Sequence, residues 1–285
     1  MEILRTENLS HIYSPKSPFE HRALDDVSLS IETGTLTGII GRTGSGKSTL
    51  ISHFNGLLRP TSGKVFVDGE DIWNEPKKIR RIRFKVGLVF QFPEYQLFED
   101  TVEKDIAFGP KNMGLSEDEV ALRVREAADT VGLSAETLKK SPFELSGGQK
   151  RRVAIAGVIA MKPRLLILDE PAAGLDPRGR DEIFDHVRAY LASGDTAAVI
   201  VSHSMDDVAR IADRIIVMGD GRIQLNGTPK EVFSNRAAIE NAGLRLPFVS
   251  RVMHMLRDRG FNADVSVLDV ESAAKAILKL KGREV

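Results

Sequence analysis

Three stretches of the 285-residue chain carry residue types whose spacing suits phosphate chemistry. The first, Gly41-Arg42-Thr43-Gly44-Ser45-Gly46-Lys47-Ser48 with Thr49 following, fits G-x-x-x-x-G-K-[ST]. Its glycines admit backbone angles that turn successive N–H groups inward on a polyphosphate, and a helix starting there adds its dipole. Lys47 supplies a point charge for β- and γ-phosphates, and the Ser48 hydroxyl can ligate Mg²⁺. The second, Leu165-Leu166-Ile167-Leu168-Asp169-Glu170, reads as a buried strand ending in two carboxylates, a place where α/β folds hold ligands. There Asp169 would hold the Mg²⁺ shell and Glu170 would polarise an attacking water. The third, Leu145-Ser146-Gly147-Gly148-Gln149, runs into a helix expected over 150–161. Gly147 and Gly148 expose backbone donors at that helix start and the Ser146 hydroxyl adds another, which makes a second anion site.

The elements that must position these residues alternate between strand and helix. Strands are expected over 3–10, 27–32 and 35–40, the last running straight into the glycine loop, with a helix over 47–57 behind it. Further strands are expected over 64–68, 86–90 (ending at Gln91), 165–169, 197–202, 215–218 and 222–225. A helical insert occupies about 92–161, where Ser116 and Glu119 predict a capping box ahead of the amphipathic run 120–131. Helices are also expected over 178–192, from Ser204, and over 230–234, 248–259 and 270–281, the last three forming a small C-terminal piece. The fold class is α/β, with one core and one satellite.

Composition narrows the function classes. Lys plus Arg and Asp plus Glu each total 40, so no overall positive field exists for a nucleic-acid backbone, and a dedicated nucleic-acid binder is disfavoured. No cysteine is present, which excludes thiolate metal sites, disulfides and a Cys nucleophile. The longest apolar stretch, 153–161, is half of what a bilayer span needs, and the first residues lack a signal-peptide layout; the chain is expected in the cytoplasm, touching membrane only through a partner.

From Met1 to about Gly227 the chain resembles the ABC ATPase family, whose signature is the 145–149 pentapeptide. The resemblance implies a P-loop NTPase nucleotide-binding domain over 1–228, with a RecA-like core, an antiparallel β subdomain and a helical subdomain at about 92–161. Residues 229–285 form a C-terminal extension that adds a subunit interface or packs on its own core. It also implies roles. Tyr13 matches the aromatic that stacks on adenine, and residues 41–49 the loop that holds ATP and Mg²⁺. Gln91 matches the glutamine that reaches Mg²⁺ or water and links the nucleotide to the helical insert. Asp176, within Gly174-Leu175-Asp176-Pro177, matches the D-loop between subunits, and His203 the switch histidine on the γ-phosphate. The signature residues Leu145, Ser146, Gly147, Gly148 and Gln149 would act on a nucleotide held by a second subunit. Lys47, Gln91, Glu170 and His203 are thereby expected to be catalytic, and Ser48, Gln91 and Asp169 to be the metal ligands. His11, His21, His53, His186 and His254 are read as structural, and Trp73 as packing.

Too few residues separate Ser48 from Leu145 for a chromosome-type coiled coil, and one set of motifs argues against a two-cassette translation factor. The tract 91–98 with 105–112, and the insertion 14–22, look like the energy-coupling factor branch, the second ATPase of the pair. That resemblance implies a peripheral subunit on the cytoplasmic face of the membrane. Its expected partners are a second ABC ATPase, a transmembrane coupling subunit and a membrane-embedded binding subunit for vitamins or transition-metal ions, with no nucleic acid. Cargo, and an identical or a related ATPase partner, stay open at this point.

Overall fold

A computed structural model describes residues 1–192 and 194–280. In chain order the elements are β1 (Glu2–Tyr13), β2 (His21–Glu32), β3 (Leu36–Gly41), α1 (Lys47–Phe54), β4 (Ser62–Val67), β5 (Glu70–Asp71), α2 (Ile79–Lys85), β6 (Val86–Val89), α3 (Val102–Asn112), α4 (Glu117–Thr130), α5 (Ala135–Leu138) and α6 (Gly147–Ile159). They continue as β7 (Leu165–Asp169), α7 (Pro177–Leu191), β8 (Ala197–Val201), α8 (Met205–Ile211), β9 (Arg214–Gly219), β10 (Arg222–Gly227), α9 (Pro229–Ser234), α10 (Arg236–Asn241), α11 (Phe248–Asp258) and α12 (Val270–Leu280).

Among the described residues the strands form two sheets, an antiparallel one ordered β2-β1-β4-β5 and a second ordered β10-β9-β3-β8-β7-β6. In the second, β6, β7, β8, β3 and β9 pair in parallel and only the edge strand β10 runs against them. Every residue of β3, β6, β7 and β8 is buried, which is why these segments read as unbroken apolar runs rather than alternating ones. The alternation survives in what each residue packs against. Leu165, Ile167, Ala197, Val199 and Val201 join β1, β2 and α1 on one face. Leu166, Leu168, Ala198 and Ile200 join α3, α4, α6 and α7 on the other. The sheet is thus the middle layer of a three-layer sandwich.

The expected C-terminal piece divides in two by packing. Val232 and Phe233 of α9, Ile239 of α10 and Ala242 just after it share a cluster with β9 and α8, whereas α11 and α12 pack with Ala263 and Val265 in a cluster of their own. Lys281, the expected end of the last helix, and the rest of 281–285 lie outside the described residues. Trp73 packs against the core on the β1–β2 side, as read. No helix among the described residues is long and apolar enough to cross a membrane.

Four expectations need correction. β1 and β2 are twelve residues each and pair up to Tyr13 and His21, so the insertion is a hairpin tip rather than a long loop. The bulges that interrupt their register hid the strand ends from an alternation test. The capping box at Ser116 is half formed: its hydroxyl accepts from Glu119 N, but the Glu119 carboxylate turns to Arg123 at 2.7 Å. Within 92–101 the backbone makes only a 3₁₀ turn, Pro93–Gln96, before α3 begins. The short helices α2 and α10 were not anticipated.

Where β3 crosses α8 the Gly38 backbone lies directly under the Val208 side chain. A Cβ on Gly38 would stand 2.4 Å from Val208 Cγ1. Gly38→Val is therefore expected to lower stability by about 1–3 kcal/mol through overpacking, read as a drop in the urea midpoint; an unchanged midpoint would mean that the contact is loose.

Candidate active site

Parallel register collects the motif residues at one edge of the sheet. β6, β7, β8 and β3 are consecutive neighbours, with Val89 beside Leu168, Asp169 beside Val201, and Val201 beside Ile39. Each chain leaves its strand one or two residues beyond those pairs. Gln91, Asp169, Glu170, His203 and the glycine loop after Gly41 therefore emerge side by side. They open onto a cavity of about 400 Å³ lined also by Tyr13, His21, Thr43, Gly44, Gly46, Lys47, Ser48 and Thr49. A cavity of about 810 Å³ between the start of α7, α8 and the C-terminal helices is larger but holds none of the expected catalytic or nucleotide-binding residues. Convergence of charge, not volume, marks the site.

In the loop, Gly44 and Gly46 take φ of +81° and +99°, and a Cβ on Gly46 would stand 2.5 Å from the Ala23 carbonyl. Only glycine allows that turn and that approach. Gly46 is the N-cap of α1, with no side chain to satisfy the N–H groups of the first turn, which are left for a ligand. Lys47 is buried and donates from Nζ to the carbonyls of Gly41 (2.7 Å) and Arg42 (3.0 Å). An ammonium has three hydrogens, so one remains to point into the cavity. Burial lowers the Lys47 pKa, while the Glu170 and Asp169 carboxylates opposite pull it back. Gly41, Arg42 and Ser45 shape the loop without lining the cavity; the Arg42 guanidinium turns outward to Asp220.

Asp169 ends β7, and burial raises its carboxyl while Lys47 and the Ser48 hydroxyl hold it down. Glu170 sits at φ +51°, a turn that redirects the chain after the strand. Burial raises its pKa to about 7, with a hydrogen bond from the His203 backbone N–H opposing and Asp169 adding to the rise. Its Oε1 lies 3.4 Å from His203 Nε2, off hydrogen-bond geometry, and finds no other partner among the described residues. A buried carboxylate oxygen left bare in this way suits a water molecule that arrives with substrate. His203 is held below its usual pKa by burial and by Lys47, hence neutral at pH 7 and able to donate one N–H.

Residues 24–173 match the ABC transporter family. The energy-coupling factor transporter ATP-binding protein EcfA2 of Clostridium tetani is 52% identical over 97% of this chain and 96% of its own. That of Symbiobacterium thermophilum is 55% identical over 95% and 94%. This chain is an ABC transporter ATPase. Among solved structures, cbiO1 from Clostridium perfringens, part of the ABC transporter complex cbiONQ, superposes with a TM-score of 0.76 at 41% identity, covering 90% of this chain and 99% of that one. A dimeric post-hydrolysis ATP-binding cassette bound to ADP and Pi gives 0.71 at 27% identity, covering 80% and 99%. Within the family the chain is of the energy-coupling factor type, and the fold is that of the P-loop ABC cassette.

In this ABC ATPase the signature stands apart from the cavity of its own chain. Leu145 is buried as an anchor, whereas Ser146 and Gly147 are exposed at the start of α6, and none of the five residues lines the cavity. The Ser146 hydroxyl does not stand free as the sequence suggested. It accepts from Gln149 N (3.4 Å) and lies 3.2 Å from Gln149 Oε1, in a closed capping box. Asp176 likewise caps its own helix, accepting from Gly179 N at 2.7 Å. Tyr13 stands at the cavity rim, 40% exposed, its hydroxyl 3.2 Å from Thr49 Oγ1.

Two features escaped the sequence reading. His21, taken as structural, lines the cavity because it pairs across from Tyr13. Arg151, one turn into α6, is 4% exposed and donates to Glu94 (3.1 Å) and to the carbonyls of Pro171 (3.2 Å) and Ala173 (2.6 Å). It ties the signature helix to the turn after Gln91 and to the loop after Glu170; a buried arginine in a helix full of basic residues gave no signal to find it by.

The Glu170 shift has a stability consequence. Its folded pKa of about 7 exceeds the ordinary 4.5, so the folded state keeps a proton that the unfolded chain has lost. The stability from this group is whole below pH 4.5 and is lost as pH rises through 7. Glu170→Gln removes that loss, so without nucleotide the variant should exceed the parent by roughly 1–3 kcal/mol at about pH 8, with the gap closing toward pH 5. Urea midpoints at both pH values check it; a gap independent of pH would contradict the burial of this carboxylate.

Proposed function

We propose that the chain is the ATP-binding and hydrolysing subunit of an energy-coupling factor importer. It pairs with a second ABC ATPase beneath a transmembrane coupling subunit, and a membrane-embedded binding subunit brings the vitamin or transition-metal ion. The observation that carries the pairing is the separation of the two anion-binding helix starts: α1 opens into the cavity, while α6 faces outward with nothing of its own chain to bind. This chain and the second ATPase, opposed head to tail, give each cavity a signature from the other. Membrane attachment goes through the partner subunits on the cytoplasmic face.

The oxygen donors fit a hard cation. Ser48, Gln91 and Asp169 line one cavity, Asp169 already interacts with Ser48, and no cluster of three or more His, Cys, Asp or Glu competes among the described residues. One carboxylate with a hydroxyl and an amide suits Mg²⁺, which completes its shell from phosphate and water. When bound, Mg²⁺ neutralises charge on the β- and γ-phosphates. Lys47 and the α1 N–H groups bind the same phosphates, and Tyr13 carries the adenine. Glu170 accepts a hydrogen bond from the attacking water and orients the water's lone pair toward the γ-phosphorus, while neutral His203 donates to a γ-oxygen. As the water oxygen bonds to the γ-phosphorus, the bond from phosphorus to the β–γ bridging oxygen breaks; the water proton passes through Glu170 to the phosphate, and ADP and phosphate leave.

With its pairing ATPase present, Glu170→Gln should hydrolyse ATP at least about a hundredfold more slowly and accumulate as an ATP-loaded dimer in sedimentation velocity. Lys47→Ala should fail to form that dimer. Near-normal phosphate release from the Gln variant, or a complex that stays monomeric with ATP, contradicts the assignment. For the importer reading, mild detergent extraction should recover this chain with membrane-spanning subunits; recovery with nucleic acid instead would overturn it.

A further inference from the structure

Two histidines beside Tyr13 are left unused by this chemistry. His53, in the last turn of α1, is fully buried, and His11, in β1, is 9% exposed. His53 Nδ1 lies 2.7 Å from the Thr49 carbonyl and its Nε2 lies 3.2 Å from His11 Nδ1. A carbonyl only accepts, so His53 Nδ1 carries a hydrogen, and a second hydrogen lies between the two rings. The His11 ring then meets Tyr13 edge-on, with centroids 4.5 Å apart and planes at 78°. The Tyr13 hydroxyl closes the circuit at Thr49 Oγ1, 3.2 Å away. Contacts that start and end on Thr49 thus fix the Tyr13 ring against the helix that carries Lys47 and Ser48.

An apolar pair would fill the same space at lower desolvation cost, since buried polar groups are tolerated only when bonded. What the imidazoles add is direction: a hydrogen bond fixes angle as well as distance. Burial, the largest cause in both, keeps them uncharged, lowering His11 and bringing His53 to about 4 despite the opposing Thr49 and Arg59 carbonyls.

We infer that His11 and His53 are positioning residues that hold the Tyr13 ring at a set distance and tilt from the phosphate loop, so that base and triphosphate of one nucleotide are gripped together. The inference rests on the proposed stacking of Tyr13, and its test separates the two. Dissociation constants of MgATP and of Mg-tripolyphosphate, which has no base, are measured on the full chain. Tyr13→Ala should weaken MgATP alone. His11→Leu should weaken MgATP about fivefold to tenfold and leave Mg-tripolyphosphate within about twofold. His53→Asn, which keeps a donor for the Thr49 carbonyl but cannot reach His11, should split the two ligands the same way and carries the test if the Leu variant does not fold. If Tyr13→Ala shows the split and neither histidine variant does, or if they weaken both ligands alike, the positioning role is overturned. Absence of a split in Tyr13→Ala overturns the stacking role beneath it.

Discussion

One ammonium facing two carboxylates at the dry end of a sheet governs this molecule. Lys47, Asp169 and Glu170 are all buried, and burial pushes each toward its neutral form; Lys47 and the carboxylates pull one another back, while Asp169 pushes Glu170 further toward its neutral acid. The balance is unequal, for one lysine cannot compensate two carboxylates, and Glu170 is the member that gives way. That inequality is useful. A site whose charges were already matched would gain little from a polyphosphate and its cation, whereas this one has a spare ammonium hydrogen, a bare carboxylate oxygen and free helix N–H groups waiting for both. Binding energy comes from completing a charge arrangement that the empty protein holds incomplete.

The same incompleteness sets the assembly. In the proposed pairing, an anion held at the start of α1 on one chain presents its far side outward, toward the exposed start of α6 on the other. Ser146 is engaged in its own capping box with Gln149, so in that pairing the proposed phosphate contact falls first to the backbone N–H groups of Gly147 and Gly148, and the serine hydroxyl joins only if it turns from Gln149. Arg151 gives that contact a route inward, because its guanidinium spans from α6 to Glu94 and to the carbonyls after Glu170. Removing either end of so buried a pair leaves an uncompensated charge, so the three segments move together or pay several kcal/mol.

Much of this was legible in the sequence, and the reasons differ by element. β3, β7 and β8 announce themselves because both faces are covered, and the glycine loop and carboxylates because few other jobs require those types at those spacings. Misread positions are those where a side chain has two possible partners. Glu119 matches a capping box yet chooses Arg123; the Ser146 hydroxyl looks like a free donor yet is satisfied by Gln149. The ends of β1 and β2 were blurred by bulges. His11, His21 and His53 fall into place only once the hairpin brings residue 13 beside 21 and lays β1 against α1, contacts between positions 42 apart in the chain for the His11–His53 pair. Local pattern cannot carry such information, because it lives in the tertiary register.

A mechanical consequence follows from where regular structure stops. β6 ends at Val89, Gln91 reaches the cavity, and Phe92 takes φ 55° and ψ 55°, a left-handed conformation that costs an aromatic residue about 1 kcal/mol or more. Two residues on, Glu94 is clasped by Arg151. Gln91 therefore sits between a rigid sheet edge and a strained turn that is fastened to the signature helix. On the proposed role of Gln91, a ligand that draws its amide into the cavity pulls on Phe92, and the strain stored there lowers the cost of leaving the present arrangement. Gln91 and Arg151 form two struts from the helical insert to the sheet edge, one at the cavity and one behind Glu170, so on the proposed function occupancy of the cavity bears on the pose of α6 from both sides.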